Sequence, residues 1–173
     1  MKNKNKNKTK FVIAAGLTIV VLSGALFLTS NQNKGQDTRN KNGITSAKVS
    51  EKGDLLIPVA DVTNQAMFYE YQTEDGTALE VMAVKASDGT VRTAFNTCQV
   101  CYSSGRGYYK QEGEDLVCQN CGNHFTADDV EVTKGGCNPV PIYSEYKTLD
   151  ETTITISKDH LEEAKVIFEN WKS

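Results

Sequence analysis

The sequence predicts an α+β fold: a mainly β ectodomain built on a hairpin meander, with a Cys-rich metal-binding loop region, a C-terminal helix and one N-terminal transmembrane helix. Three observations carry this expectation. The turns Asp75-Gly76 and Asp88-Gly89 separate runs rich in β-branched and aromatic residues, which is a strong hairpin signal. One stretch near the C-terminus places apolar residues at helical spacing, and nineteen consecutive residues near the N-terminus carry no charge.

Residues 1–10 (MKNKNKNKTK) hold five lysines and no acid, and read as a basic cytoplasmic tail. Residues 11–29 (FVIAAGLTIVVLSGALFLT) follow without a charge; at about 1.5 Å per residue they approach the ~30 Å of a hydrocarbon core. Lysines before the run outnumber Lys34, Arg39 and Lys41 after it, so the N-terminus is expected in the cytoplasm and the rest outside. Ser23-Gly24-Ala25 resembles a signal-peptidase site, which is the rival to a retained anchor. The apolar run continues to Leu28, which favours the anchor, and no cysteine ends it, which argues against lipidation. Residues 30–44 are rich in Asn, Gln, Lys and Gly and read as a flexible linker.

Residues 45–173 form the expected extracytoplasmic domain. They hold 21 acidic and 11 basic residues, a balance that repels nucleic acid and anionic lipid. Leu55-Leu56-Ile57 and Val59 to Val62 flank Pro58, which suggests an edge strand or a break. Met67 to Tyr71, Leu79 to Lys85 and Thr90 to Phe95 make a three-stranded meander that delivers the chain to Cys98. The run Leu79 to Lys85 has no purely polar face. Cys98 to Cys137 is rich in glycine and poor in apolar periodicity, so a bound ion or cross-links are expected to make it rigid. Thr152 to Ile156 reads as a strand. Ser157 then caps a helix from about Asp159 to Trp171, with Leu161, Ala164, Phe168 and Trp171 as its core-facing stripe.

The chemistry is concentrated in five cysteines. Cys98-Gln-Val-Cys101 and Cys118-Gln-Asn-Cys121 are two Cys-x-x-Cys pairs sixteen residues apart, the spacing of a tetrahedral metal site. Disulfides are the plain alternative outside the cytoplasm, but five is odd, and closing a Cys-x-x-Cys restrains the unfolded chain little. A thiol–disulfide oxidoreductase needs its Cys-x-x-Cys at the start of a helix. Here the pairs run into Tyr102-Ser103-Ser104-Gly105 and Gly122-Asn123, which read as loops. Covalent haem requires a histidine directly after the pair, and neither pair has one.

The four ligands suit zinc, a single iron or an iron–sulfur cluster. Cys137, on the turn Gly135-Gly136-Cys137-Asn138-Pro139, is a candidate fifth sulfur; Cys137 and His124 together tip the balance toward iron–sulfur, since a closed four-cysteine zinc site needs neither. His124 reads as an exposed turn residue. Glu112, Glu114, Asp115, Asp128, Asp129 and Glu131 flank the second pair; they read as solvated loop charge, with a docking face for a cationic partner or a weak iron pre-site as the sharper alternative.

Cys98-Gln-Val-Cys-Tyr-Ser-Ser-Gly-Arg-Gly-Tyr, Val117-Cys-Gln-Asn-Cys-Gly-Asn-His-Phe and Gly135-Gly-Cys-Asn-Pro-Val-Pro-Ile together resemble the FtrD-like family of membrane iron–sulfur proteins, over roughly residues 50 to 170. The resemblance implies an iron–sulfur centre on the outer face of a bacterial membrane. It also implies a role in iron uptake beside an iron permease, with Cys98, Cys101, Cys118 and Cys121, and less directly Cys137, as cofactor-binding residues. Many relatives carry several membrane spans, whereas a single N-terminal span is expected here. The expected work is electron transfer or metal handling without substrate turnover. A structural zinc-ribbon interaction module is the alternative, and a thiol–disulfide oxidoreductase the third reading.

Overall fold

The computed structural model describes residues 44–173. The expected cytoplasmic tail, membrane span and the linker as far as residue 43 lie outside the described residues; the linker's last residue, Ile44, instead opens the strand Ile44–Ser46 and pairs with Phe68. Among the described residues, twelve short strands form three sheets that, with one α-helix, surround two apolar clusters. Among the described residues, no helix is long and apolar enough to cross a membrane.

The central sheet has the order β1-β4-β5-β6-β10. It comprises β1 (Ile44–Ser46), β4 (Met67–Gln72), β5 (Ala78–Lys85), β6 (Val91–Cys98) and β10 (Pro139–Pro141). The meander β4-β5-β6 is antiparallel, as the Asp-Gly turns predict, and β1 joins it in parallel. β5 is buried from Leu79 to Val84, which explains why its sequence lacks a polar face. Leu79, Val81 and Ala83 enter one cluster while Met82 and Val84 enter the other, following the period of two.

On one side lies a second sheet, β11-β12-β3-β2, made of β11 (Lys147–Leu149), β12 (Thr153–Ile156), β3 (Leu55–Pro58) and β2 (Lys48–Val49). With helix α1 (Lys158–Ala164) it closes the larger cluster around Leu55, Ile57, Phe95, Ile154, Ile156, Leu161 and Phe168. The chain breaks after Pro58, but the continuation Val59–Asp61 is a 3-10 turn and not a strand. β3 is also not an edge strand, since β12 and β2 flank it. α1 starts on the expected cap, with the Ser157 hydroxyl accepting from the His160 N–H. It ends at Ala164, seven residues before the expected end, and tightens into a 3-10 turn over Lys165–Ile167. Phe168 still packs in the core.

On the other side, the segment that reads as loop holds a third sheet, β7-β8-β9, of β7 (Tyr109–Glu112), β8 (Asp115–Cys118) and β9 (His124–Thr126). Tyr109, Leu116 and Cys118 pack with Phe68, Met82, Ala94, Cys98 and Val130 to form the second cluster. Strands of three or four residues are too short to show alternation, so turn-forming glycines dominate the sequence signal here.

Candidate metal centre

Three strand ends converge on one place. Cys98 is the last residue of β6 and Cys118 the last of β8. Cys137 lies two residues ahead of Pro139, which pairs with Cys98 in the β6–β10 ladder. The period-two face of β6 carries Ala94 and Cys98 into the cluster under the third sheet. β7 ties the two Cys-x-x-Cys turns together. Cys98 N–H donates to the Gly107 carbonyl at 2.6 Å, Gln119 N–H donates to Tyr108 at 2.8 Å, and Tyr109 stands opposite Cys118. Gly107 has no room for a side chain, because a Cβ there would overlap the Cys101 carbonyl. Gly122 closes the second turn at φ +74°, with its N–H on the Cys118 carbonyl at 2.8 Å.

All five cysteines are free thiols, and their sulfurs gather. Cys98, Cys101 and Cys137 offer sulfurs within 4.8 Å of one another, as do Cys101, Cys118 and Cys121. The Cys101 and Cys137 sulfurs are 3.6 Å apart. Cys98 and Cys118 are buried, Cys101 and Cys137 half-buried, and Cys121 exposed. Backbone N–H groups point at the sulfurs: Cys101 N–H at 3.2 Å and Val100 N–H at 3.5 Å from Cys98 Sγ. The N–H groups of Cys121 and Asn120 do the same for Cys118, and that of Asn123 for Cys121. Such donors stabilise thiolate charge, the form that binds metal.

The acidities separate accordingly. Burial opposes ionisation of Cys98, but the Cys101 and Val100 N–H groups help to outweigh it, and the thiol is held below its ordinary value. Cys121 is also held low: burial works against it, and the Asn123 N–H and the neighbouring thiols of Cys137, Cys118 and Cys101 prevail. Burial raises Cys101 and pushes Cys118 up to about 12. Cys137 is raised by its contact with Cys121, then by burial. Cys98 and Cys121 therefore ionise ahead of the other three thiols. Soft sulfur donors with N–H groups on them suit zinc, iron or an iron–sulfur cluster, so the residues fit the groups expected from sequence.

Tyr109, Asn96 and Asn120 support the site and were not foreseen. The Tyr109 hydroxyl donates to the Cys137 carbonyl, and its backbone N–H donates to Asn96 Oδ1 at 2.7 Å. Asn96, buried at 1 % exposure, also donates to Glu80 and to the Tyr109 carbonyl. Asn120, in the second turn, eases ionisation of Cys101 in the first, against the rise that burial causes. Polar residues beside a Cys-x-x-Cys were the available signal, but nothing in sequence separated them from surface loop.

His124 is exposed as expected, though on β9 and not in a turn, and its Nδ1 meets Asp115 at 2.9 Å. The acidic residues divide. Glu112 and Glu114 are exposed. Asp128 accepts from Ser87 at 2.7 Å, Asp129 accepts from Thr126 and Thr133, and Glu131 binds Thr93 and Lys147. These three are staples between loops and strands. Neither Cys-x-x-Cys opens an α-helix: Cys101 precedes only the three-residue 3-10 turn Tyr102–Ser104.

A family model described as "Membrane iron-sulfur containing protein FtrD-like" matches residues 62–168, a span that contains all five cysteines and the whole of β4 through α1. No curated protein and no solved structure matches the chain.

Proposed function

This chain belongs to the FtrD-like family of membrane iron-sulfur containing proteins, and from that footing we propose that it holds an iron–sulfur centre in an extracytoplasmic domain. Its work is electron transfer or metal handling during iron uptake. Cys98, Cys101, Cys118 and Cys121 serve as ligands, and Cys137 joins them. The observation that carries this reading is the gathering of five sulfurs into two overlapping sets of three, with no carboxylate or imidazole in either set. A centre there gains a route to partners through the exposed Cys121, while the buried Cys98 and Cys118 anchor it to the core. The group bound would supply one-electron chemistry. The chain itself supplies sulfur ligands, N–H donors that tune them, and an apolar floor that limits water. A membrane anchor at residues 11–29, an iron permease and a redox partner remain part of the proposal. The test is anaerobic purification of the full chain with an absorption spectrum and assays of iron, zinc and acid-labile sulfide. Iron and sulfide with visible absorption are expected. A colourless protein holding zinc alone would replace this reading with the structural zinc module.

A further inference from the structure

The face of β6 that carries Cys98 into the site carries Asn96 two residues earlier. One register step beyond the pair Val81 and Phe95, Glu80 of β5 stands across from Asn96, whose amide donates to Glu80 Oε1 at 2.5 Å. Cys98 is then the diagonal neighbour of Glu80, and such neighbours lie about 7–8 Å apart. Glu80 is 1 % exposed, and a second acid, Glu70, stands opposite it on β4. A buried carboxylate with a like charge across the ladder calls for a cation. Lys172 supplies it: its Nζ lies 3.0 Å from Glu80 Oε2, and 3.9 Å and 5.3 Å from the ring centres of Trp171 and Tyr108. The segment after α1 is seated to deliver that lysine. The Trp171 indole N–H donates to the Asn96 carbonyl at 2.8 Å, and Lys172 takes the left-handed conformation, φ +56°, that turns its side chain back to Glu80. Gly105 leaves the room that Ser173 fills, since a Cβ there would overlap the Ser173 hydroxyl.

We propose that Glu80 and Lys172 set the electron affinity of the centre: the buried Glu80 carboxylate disfavours its reduction, and Lys172 is the positioning residue that offsets this charge and fixes the Asn96 amide on Tyr109. The proposal rests on the reading that the cysteines hold a one-electron metal centre, and goes beyond it by giving control of that electron to two residues that are not ligands. Reduction brings in one electron and no proton, so the site becomes more negative by one charge. A unit charge at the range above, in an effective dielectric near 20, changes the ratio of reduced to oxidised centre by about tenfold or more. Lys172 is 33 % exposed against 2 % for the Glu80 side chain, so solvent screens the cation more than the carboxylate. The pair therefore leaves a net negative field at the Cys98 end of β6.

Ferrous iron is the probe. The full chain in detergent, reduced and stripped of metal, is loaded anaerobically with ferrous iron alone and poised with mediators at one fixed potential. The ratio of reduced to oxidised iron is read from the ferric–thiolate absorption. Glu80→Gln, which keeps the shape and removes the charge, should raise the ratio about tenfold. Adding Lys172→Met to it should bring the ratio back down toward that of the unmodified chain, and Lys172→Arg alone should stay within about twofold of it. Loss of a merely structural contact would loosen iron without moving the ratio up in one variant and back down in the next. A Glu80→Gln ratio within about twofold of the unmodified chain, a double variant at or above Glu80→Gln, or a Lys172→Arg shift as large as that of Glu80→Gln would each overturn the proposal. Should the double variant fail to fold, Glu80→Gln and Lys172→Arg decide the matter between them. A chain that takes up no iron would sink the metal reading and this proposal together, whereas bound iron indifferent to Glu80 would sink this proposal alone. The iron and sulfide assay judges the native group separately.

Discussion

Asn96 is the residue on which the site's support converges. Its side chain meets both the N–H and the carbonyl of Tyr109 and also Glu80, whose other oxygen takes Lys172 at 3.0 Å. Tyr109 in turn holds the Cys137 carbonyl. Asn96→Ala leaves several buried polar groups without partners, each costing about 1–3 kcal/mol. We expect a loss of about 3 kcal/mol in urea unfolding with an unchanged slope, and a loss below about 0.5 kcal/mol would show that water replaces the amide. At this scale the sequence was legible for the ligands and silent for their supports. A Cys-x-x-Cys announces its chemistry by spacing, whereas Asn96 is defined by partners sixteen and thirteen residues away.

Among the elements, the third sheet β7-β8-β9 is the one whose order should depend on metal. Its strands have three or four residues, and two of the five thiols sit at its rim. The meander β4-β5-β6 has strands of six to eight residues covered on both sides. Amide hydrogen exchange followed by mass spectrometry should therefore show β7–β9 opening well before β4–β6 in metal-free protein, and gaining protection on loading. Equal protection of the two sheets without metal would mean that packing on Leu116 and Tyr109 suffices alone. The meander was readable because Asp-Gly turns and long runs of β-branched and aromatic residues are local signals. β1, β2, β10 and β11 were missed since two- and three-residue strands are defined by the neighbours they pair with. The early end of α1 has a similar origin: the apolar stripe continues to Trp171, but a tightened 3-10 turn delivers Phe168 to the core just as well.

Across the whole molecule, acidity enters through His160, which joins α1 to the larger cluster. Its ring stacks on Tyr146 at 3.8 Å and lies 5.3 Å from Phe95, and neither ring nitrogen has a hydrogen-bond partner. Burial lowers its pKa below the ordinary 6.5, against the opposing pull of Glu163 and Glu145. The folded state thus resists a proton that the unfolded chain accepts, so this contribution is whole above pH 6.5 and is lost as pH falls below it. His160→Phe should flatten the stability profile between about pH 7 and pH 5 relative to the unmodified chain; parallel profiles would place the acid sensitivity elsewhere. The layering itself was only half legible. A β-rich domain with one helix follows from sequence, but the sandwiching of one sheet between two others rests on contacts between distant segments. One feature of that layering offers an optical handle. Trp171 is the sole tryptophan of the chain; its indole N–H donates to the Asn96 carbonyl at 2.8 Å, and its ring meets Phe168 and Tyr108 edge-on. Its emission colour therefore reports whether the Asn96 strand is seated, and its brightness falls when a chromophore that absorbs in the near ultraviolet sits beyond that strand, so one fluorescence trace can follow folding and loading as separate events.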